Sequence, residues 1–220
     1  PYLVRVLGVE YFGLLAFAMA IITYFLIITD YGFNLTATRE ISINRDNKEK
    51  LIEIFSSVMS VNLLLMFISF GLLIVIVFSF EKFTKDWLIY FTTFGIVVGQ
   101  VLFPVWFFQG IEKMKYITYL NILSKVIFTV AIFIFVEEES DFYLVPLLNS
   151  MGFIVSGIWS LIIIKREFDI SFKFQSLNVL KIKFIEGWYI FLSQIKISLF
   201  SNTNIIILGL LAGNNAVGYF

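Results

Sequence analysis

The chain has 220 residues, 60% of them hydrophobic, with a mean hydropathy of +0.93. Soluble domains sit near about 45–50% apolar, so this composition excludes one and marks a polytopic all-α membrane protein. Sixteen basic residues balance sixteen acidic ones, which argues against a nucleic-acid partner, and the absence of Cys and His removes thiolate metal sites, disulfides and the usual pH switch.

A bilayer core about 30 Å thick needs about 20 apolar residues in helical form. Six stretches qualify, at 11–33, 58–80, 87–108, 116–136, 142–164 and 189–211. Helices are expected because every backbone amide in the bilayer must find its partner within the segment. The chain opens on Pro1 with no signal-peptide pattern and reaches Phe220 in what reads as the approach to a further span, so a piece of a longer protein is expected.

The first span, 11–33, carries Thr23, Asp30, Asn34 and Thr38 at spacings that keep them on one helix face. A carboxylate inside a span costs about 2.5–3.5 kcal/mol on insertion scales. Asp30 either snorkels to fix helix depth or faces a cavity, pairing with Arg39 or with a basic residue on another helix. Gly32 beside it is a place where the helix can loosen. The following connector has the form of a capping box at Asp46 and Glu49, and an apolar stripe of Leu51, Ile54, Phe55 and Val58 predicts a short interfacial helix before the second span. In the third span, Gly95 and Gly99 have the spacing of a close helix contact, Gln100 adds a polar position, and Pro104 predicts a bend.

The fourth span carries Thr118, Asn121, Lys125 and Thr129. Lys125 lies nine residues beyond Tyr116, about 13 Å deep at 1.5 Å per residue, too far for easy snorkelling. A cavity-facing ammonium and a buried structural ion pair are both open readings. The acidic run Glu137 to Asp141 before the fifth span reads as a solvated cap. Asn149 adds one polar position to the fifth span. Ser176 begins a second expected interfacial helix. The last span crowds Ser193, Gln194, Lys196, Ser198, Ser201, Asn202, Thr203 and Asn204 into about a dozen residues, which predicts a helix bordering a hydrated cavity.

Eleven Lys and Arg residues lie in the connectors 39–50, 109–115 and 165–188, against Arg5, Lys82 and Lys85 on the other side. The positive-inside rule makes the first group cytoplasmic and runs the first span inward. Lys125 and Lys196 against Asp30 bias the interior towards the basic, which suits an anionic substrate such as a diphosphate. A weak internal echo, LGVEYF at 7–12 and VGYF at 217–220, hints at two related halves.

The blocks LGVEYFG (7–13), DYGFNLTATREIS (30–42), WFFQGIEKMKYIT (106–118), EGWYIFLSQ (186–194) and LGLLAGNNAVGYF (208–220) together resemble the polysaccharide flippases of the multidrug/oligosaccharidyl-lipid/polysaccharide exporter superfamily, and among them the O-antigen flippase (Wzx-type) group. The resemblance implies two helical bundles in the bacterial inner membrane. Residues 1–175 would form the first bundle without its first helix, and 176–220 would begin the second. It also implies movement of a polyprenyl-diphosphate-linked oligosaccharide by alternating access, without a cofactor. Membrane lipid and other O-antigen assembly proteins are the implied partners. On that footing Lys125, Lys196, Asn121 and Asn204 are the candidate substrate-binding residues, and Asp30 with Arg39 the candidate ion-coupling pair. A small-molecule exporter of the same superfamily, a membrane-embedded polymerase or glycosyltransferase and a scaffold protein are the alternatives. A drug-cation exporter should have an acidic interior, the enzymes usually need a sizeable extramembrane loop, and a scaffold needs no polar stripes on three helices.

Overall fold

The computed structural model describes residues 2–220, apart from the side chains of residues 201 and 202; Pro1 and the polar side chains read at Ser201 and Asn202 lie outside the described residues. All regular structure among the described residues is helical. In chain order the helices are α1 (Tyr2–Asp30), α2 (Phe33–Ile43), α3 (Lys48–Ser79), α4 (Glu81–Thr84), α5 (Trp87–Leu102), α6 (Val105–Gly110), α7 (Met114–Phe135), a 3-10 turn (Glu139–Tyr143), α8 (Leu144–Glu167), α9 (Leu177–Ala212) and α10 (Asn214–Tyr219). Among the described residues five spans are long and apolar enough to cross a bilayer, and α9, bent by 45° between Leu177–Phe200 and Thr203–Ala212, is a sixth when its two parts are taken as one span. The protein is a multi-pass membrane protein.

Two expectations need correction. Neither interfacial helix is a separate element. Leu51, Ile54, Phe55 and Val58 are buried in the first turns of a continuous 32-residue α3, and 177–184 is likewise the start of the 36-residue α9. Nothing in either sequence breaks the helix before the span, and the apolar stripe packs on Trp106, Phe107 and Phe108 instead of on a membrane surface. The cap of α3 is Asn47, whose side chain accepts from the Lys50 N–H at 3.1 Å, and not Asp46. Ser176 precedes α9 without a side-chain cap bond. The acidic run does form a cap: Asp141 accepts from the backbone N–H groups of Glu137 and Glu138 at 3.1 and 3.0 Å, ahead of the 3-10 turn.

Packing inside the bundle relies on small residues and hydroxyls, as expected where lipid removes most of the hydrophobic drive between helices. Gly95 and Gly99 of α5 face α8, and a Cβ added at Gly99 would meet Phe153 Cβ at 2.5 Å. Along the same α8 face, Ser150 Oγ donates to the Thr92 carbonyl at 2.5 Å and Ser160 Oγ to that of Leu102 at 2.9 Å. Ser156 Oγ donates to the Leu120 carbonyl of α7 at 2.9 Å. One apolar core gathers Phe33, Ile41, Phe55, Trp106, Phe107 and Ile164, and a second gathers Phe17, Phe25, Leu73, Tyr90 and Phe94 nearer the other end. Phe67, Val75, Phe78, Phe133 and Phe135 point outward, which accounts for much of the apolar excess. The two echo segments are neighbours in space: a Cβ on Gly218 of α10 would run into Val9 of α1.

Candidate functional site

Besides a kink at Gly8 and the bend in α9, two interruptions stand close together. The first follows Asp30, where Tyr31 (φ +49°) and Gly32 (φ +83°) adopt the left-handed conformation before α2 begins. This conformation is rare for a residue with a bulky side chain, so Tyr31 is held there by its surroundings. Its ring stacks on Phe191 with centroids 4.7 Å apart and meets Phe184 edge-on at 5.3 Å. A Cβ on Gly32 would lie 2.6 Å from Ile190 Cγ2, so α9 is seated directly on the break. The second interruption is at Phe103 and Pro104, between α5 and α6; proline has no N–H to continue the ladder.

Both interruptions border the same polar space. A small chamber of about 30 Å³ is lined by Thr29, Asp30 and Asn34 from the first break, by Gln100, Val101, Phe103, Val105 and Trp106 around the second, and by Asn62 of α3. A wider cavity of about 360 Å³ is lined by Thr23, Leu26, Ile27, Asp30, Asn34, Gln100, Gln194, Ile197 and Ser198. Asp30, Asn34 and Gln100 therefore stand between the two. The Gln194 side chain and the backbone N–H groups of Gly32 and Asn34 lie near the Asp30 carboxylate. Below the break, Thr38 Oγ1 donates to the Asn34 carbonyl at 2.7 Å, with the Trp106 carbonyl at 3.2 Å, joining α2 to α6.

The stripe read from the sequence thus survives the break: Thr23, Asp30 and Asn34 share the wide cavity, and Thr38 anchors α2. Such an arrangement can hold water beside a carboxylate, exchange an ion with it, and shift by small rotations at two places where the helix ladder is already open. Interrupted helices at membrane depth are also where transporter folds place ion and substrate sites.

The remaining candidates are placed differently. Arg39 is exposed on α2, nine residues beyond Asp30, and no ion pair joins the two among the described residues. The helical rise puts about 13 Å between them. Lys125 and Asn121 are exposed on α7, away from the face that buries Leu120, Ser124 and Ile132. Lys196 is exposed on the side of α9 opposite to Gln194, Ile197 and Ser198, and Asn204 is exposed further along. None of these four borders the Asp30 cavity. The depth of Lys125 calls for water or a partner, but helical spacing does not say which neighbour a face meets.

Sequence reasoning missed Asn62 and Trp106, each a single polar group in an apolar run. It also missed Lys183, a buried cation paired with Glu40 and with Glu186. A signal existed for Lys183: it falls on the face of Phe184, Gly187 and Ile190, where a charge is out of place.

Two relatives match the whole of this chain. A protein of Escherichia coli (strain K12) named "Putative O-antigen transporter" is 36% identical over 220 residues, which make up 53% of its length. A protein of the same name from Shigella dysenteriae is 30% identical over 223 residues, 55% of its length. The chain therefore spans about half the length of these curated relatives. No solved structure matches at the same stringency. A family model described as "Polysaccharide biosynthesis protein" matches residues 1–220. The chain belongs to the polysaccharide biosynthesis protein family.

Proposed function

We propose that this chain is the greater part of one bundle of a flippase that carries a polyprenyl-diphosphate-linked oligosaccharide, an O-antigen repeat unit, across the bacterial inner membrane by alternating access. The observation that carries the reading is the carboxylate of Asp30, set at a helix interruption between a small polar chamber and a wide one. The names of the two relatives support the class of cargo. Residues 1–175 belong to the first bundle and α9 opens the second; the reading assigns no catalytic residue. Other O-antigen assembly proteins are its partners.

Asp30 is the ion-coupling group, acting with Asn34, Gln100 and Gln194 and not through Arg39. Coupling to the membrane potential is worth about 2.3 kcal/mol per charge per 100 mV, enough to bias a rocking equilibrium. Lys125 and Lys196, with Asn121 and Asn204, meet the diphosphate and its sugars on the open faces of α7 and α9, outside the Asp30 cavity. The test is complementation of a flippase-deficient strain, scored by O-antigen display at matched protein level. Asp30→Asn should abolish display and Asp30→Glu should restore part of it; full display by Asp30→Asn would reject the coupling role. Normal display by the Lys125→Ala, Lys196→Ala double variant would reject theirs.

A further inference from the structure

Two residues that line the small chamber beside Asp30 each have a buried polar atom with no partner among the described residues. Asn62 is only 6% exposed and Trp106 2%, and among the described residues nothing donates to Asn62 Oδ1 and nothing accepts from Trp106 Nε1–H. Both residues line the chamber, along with Asp30. More than nine in ten buried polar groups in native proteins are paired, so two orphans lining one cavity point to something between them. About 10–15 Å³ of such volume admits one water, and the chamber offers about 30 Å³.

The chemistry of the orphans selects the occupant. One is a donor and the other an acceptor. Water accepts from the indole N–H and donates to Asn62 Oδ1 and to the Asp30 carboxylate, satisfying all three. An alkali cation would bind the two oxygens but would leave the indole N–H unpaired and face the positive end of its dipole. An anion would meet the Asp30 carboxylate.

We infer that the chamber holds one or two ordered waters joining Trp106, Asn62 and Asp30, and that on this side Asp30 meets a proton-conducting contact and not an alkali-cation site. Asp30 then has water on both sides, a small pool behind it and the open cavity in front. Bound water can receive and return a proton there without a second titrating side chain. The proton contact rests on the coupling role proposed above for Asp30, and the water itself rests only on the geometry of the chamber.

The chain has four tryptophans, so the Trp87→Phe, Trp159→Phe, Trp188→Phe variant leaves Trp106 as its single indole. Ultraviolet resonance Raman of this variant in lipid nanodiscs reads the hydrogen bonding of the indole N–H. The band should lie at the hydrogen-bonded position, move on transfer to D2O despite the burial of Trp106, and be identical in NaCl and KCl. Asn62→Leu, which fills the chamber, should move it to the free position. If the triple variant is unstable, the difference spectrum between the parent and Trp106→Phe gives the same readings. A free indole N–H in the parent, or a band that differs between NaCl and KCl, overturns the inference. Neither result depends on transport, so a failure of the Asp30 coupling role in complementation is separable from a failure here.

Discussion

Lys183 of α9 reaches across 143 positions of sequence to form an ion pair with Glu40 of α2. Its ammonium also holds Glu186, one turn along α9, at 2.9 Å. The Lys183 side chain is only 10% exposed, so this pairing is shielded from solvent on the Lys side. It sits at the end of the bundle that carries most of the basic residues. Next to it, Gly187 lets α9 approach Tyr31 so closely that a Cβ would lie 2.6 Å from Tyr31 Cδ1. The ion pairs and the Tyr31, Phe184 and Phe191 rings together clamp α9 onto the break in the first span, between the Asp30 cavity and that end of the molecule.

Removing Lys183 leaves Glu40 half-buried and unpaired. A fully buried pair broken in this way costs about 3–5 kcal/mol. Both glutamates here are partly exposed, so the expected loss for Lys183→Met is smaller, about 1–3 kcal/mol. The melting temperature in detergent should fall, and the Lys183→Met, Glu40→Leu double variant should recover most of the loss. A single variant as stable as the parent would mean that the contact contributes nothing.

The contact of α5 with α8 gives a prediction of one sign, and the open face of α3 gives its opposite. Gly99→Leu forces a side chain into Phe153 and should destabilise by about 1–3 kcal/mol, as overpacking does. At Gly71 of α3 a Cβ would have no neighbour within 4 Å, so Gly71→Ala should be neutral or stabilise by up to about 1 kcal/mol through helix propensity. The fraction of monodisperse protein surviving a heating series distinguishes the two. Equal behaviour would show that α5 and α8 are not in this contact.

Asp86, in the turn before α5, carries the pH prediction. Burial pushes its carboxyl above the ordinary value of 3.8, Lys85 opposes the shift and Glu10 adds to it. A carboxyl raised on folding binds its proton more tightly in the folded state. Its contribution is therefore favourable below pH 3.8 and is lost as the pH rises through the raised folded value. At pH 7 the ionised group is a cost, so Asp86→Asn should melt above the parent at about pH 7, with the difference shrinking as the pH falls towards 3.8. A difference that is constant with pH would exclude ionisation of Asp86 as its cause.

The six apolar runs are legible in the sequence because bilayer thickness imposes a length and a composition that few other constraints mimic. The stripe through Thr23, Asp30, Asn34 and Thr38 is legible because helical periodicity says which residues share a face. What periodicity cannot give is the neighbour that the face meets. The depth of Lys125 and Lys196 points to the passage, yet both stand on exposed faces, while Gln100 and Asn62, on helices with little polar character, complete the Asp30 site. The break at Tyr31 and Gly32 is visible only as a glycine; its geometry comes from contacts with α9, about 160 residues away in sequence. The continuity of α3 and α9 is hidden because an interfacial helix and the first turns of a long span carry the same amphipathic pattern.

The proposed coupling role requires Asp30 to border hydrated space within the membrane span. The chain has no cysteine, so one introduced thiol is unique. The most direct measurement compares Gln194→Cys, whose parent side chain faces the carboxylate, with Ile68→Cys on an exposed apolar face of α3, using a membrane-impermeant thiol reagent on intact and opened membrane vesicles. Position 194 should react rapidly from at least one side and position 68 should stay inert. If position 194 proves as unreactive as position 68 from both sides, no water reaches Asp30 from the cavity, and the account is contradicted.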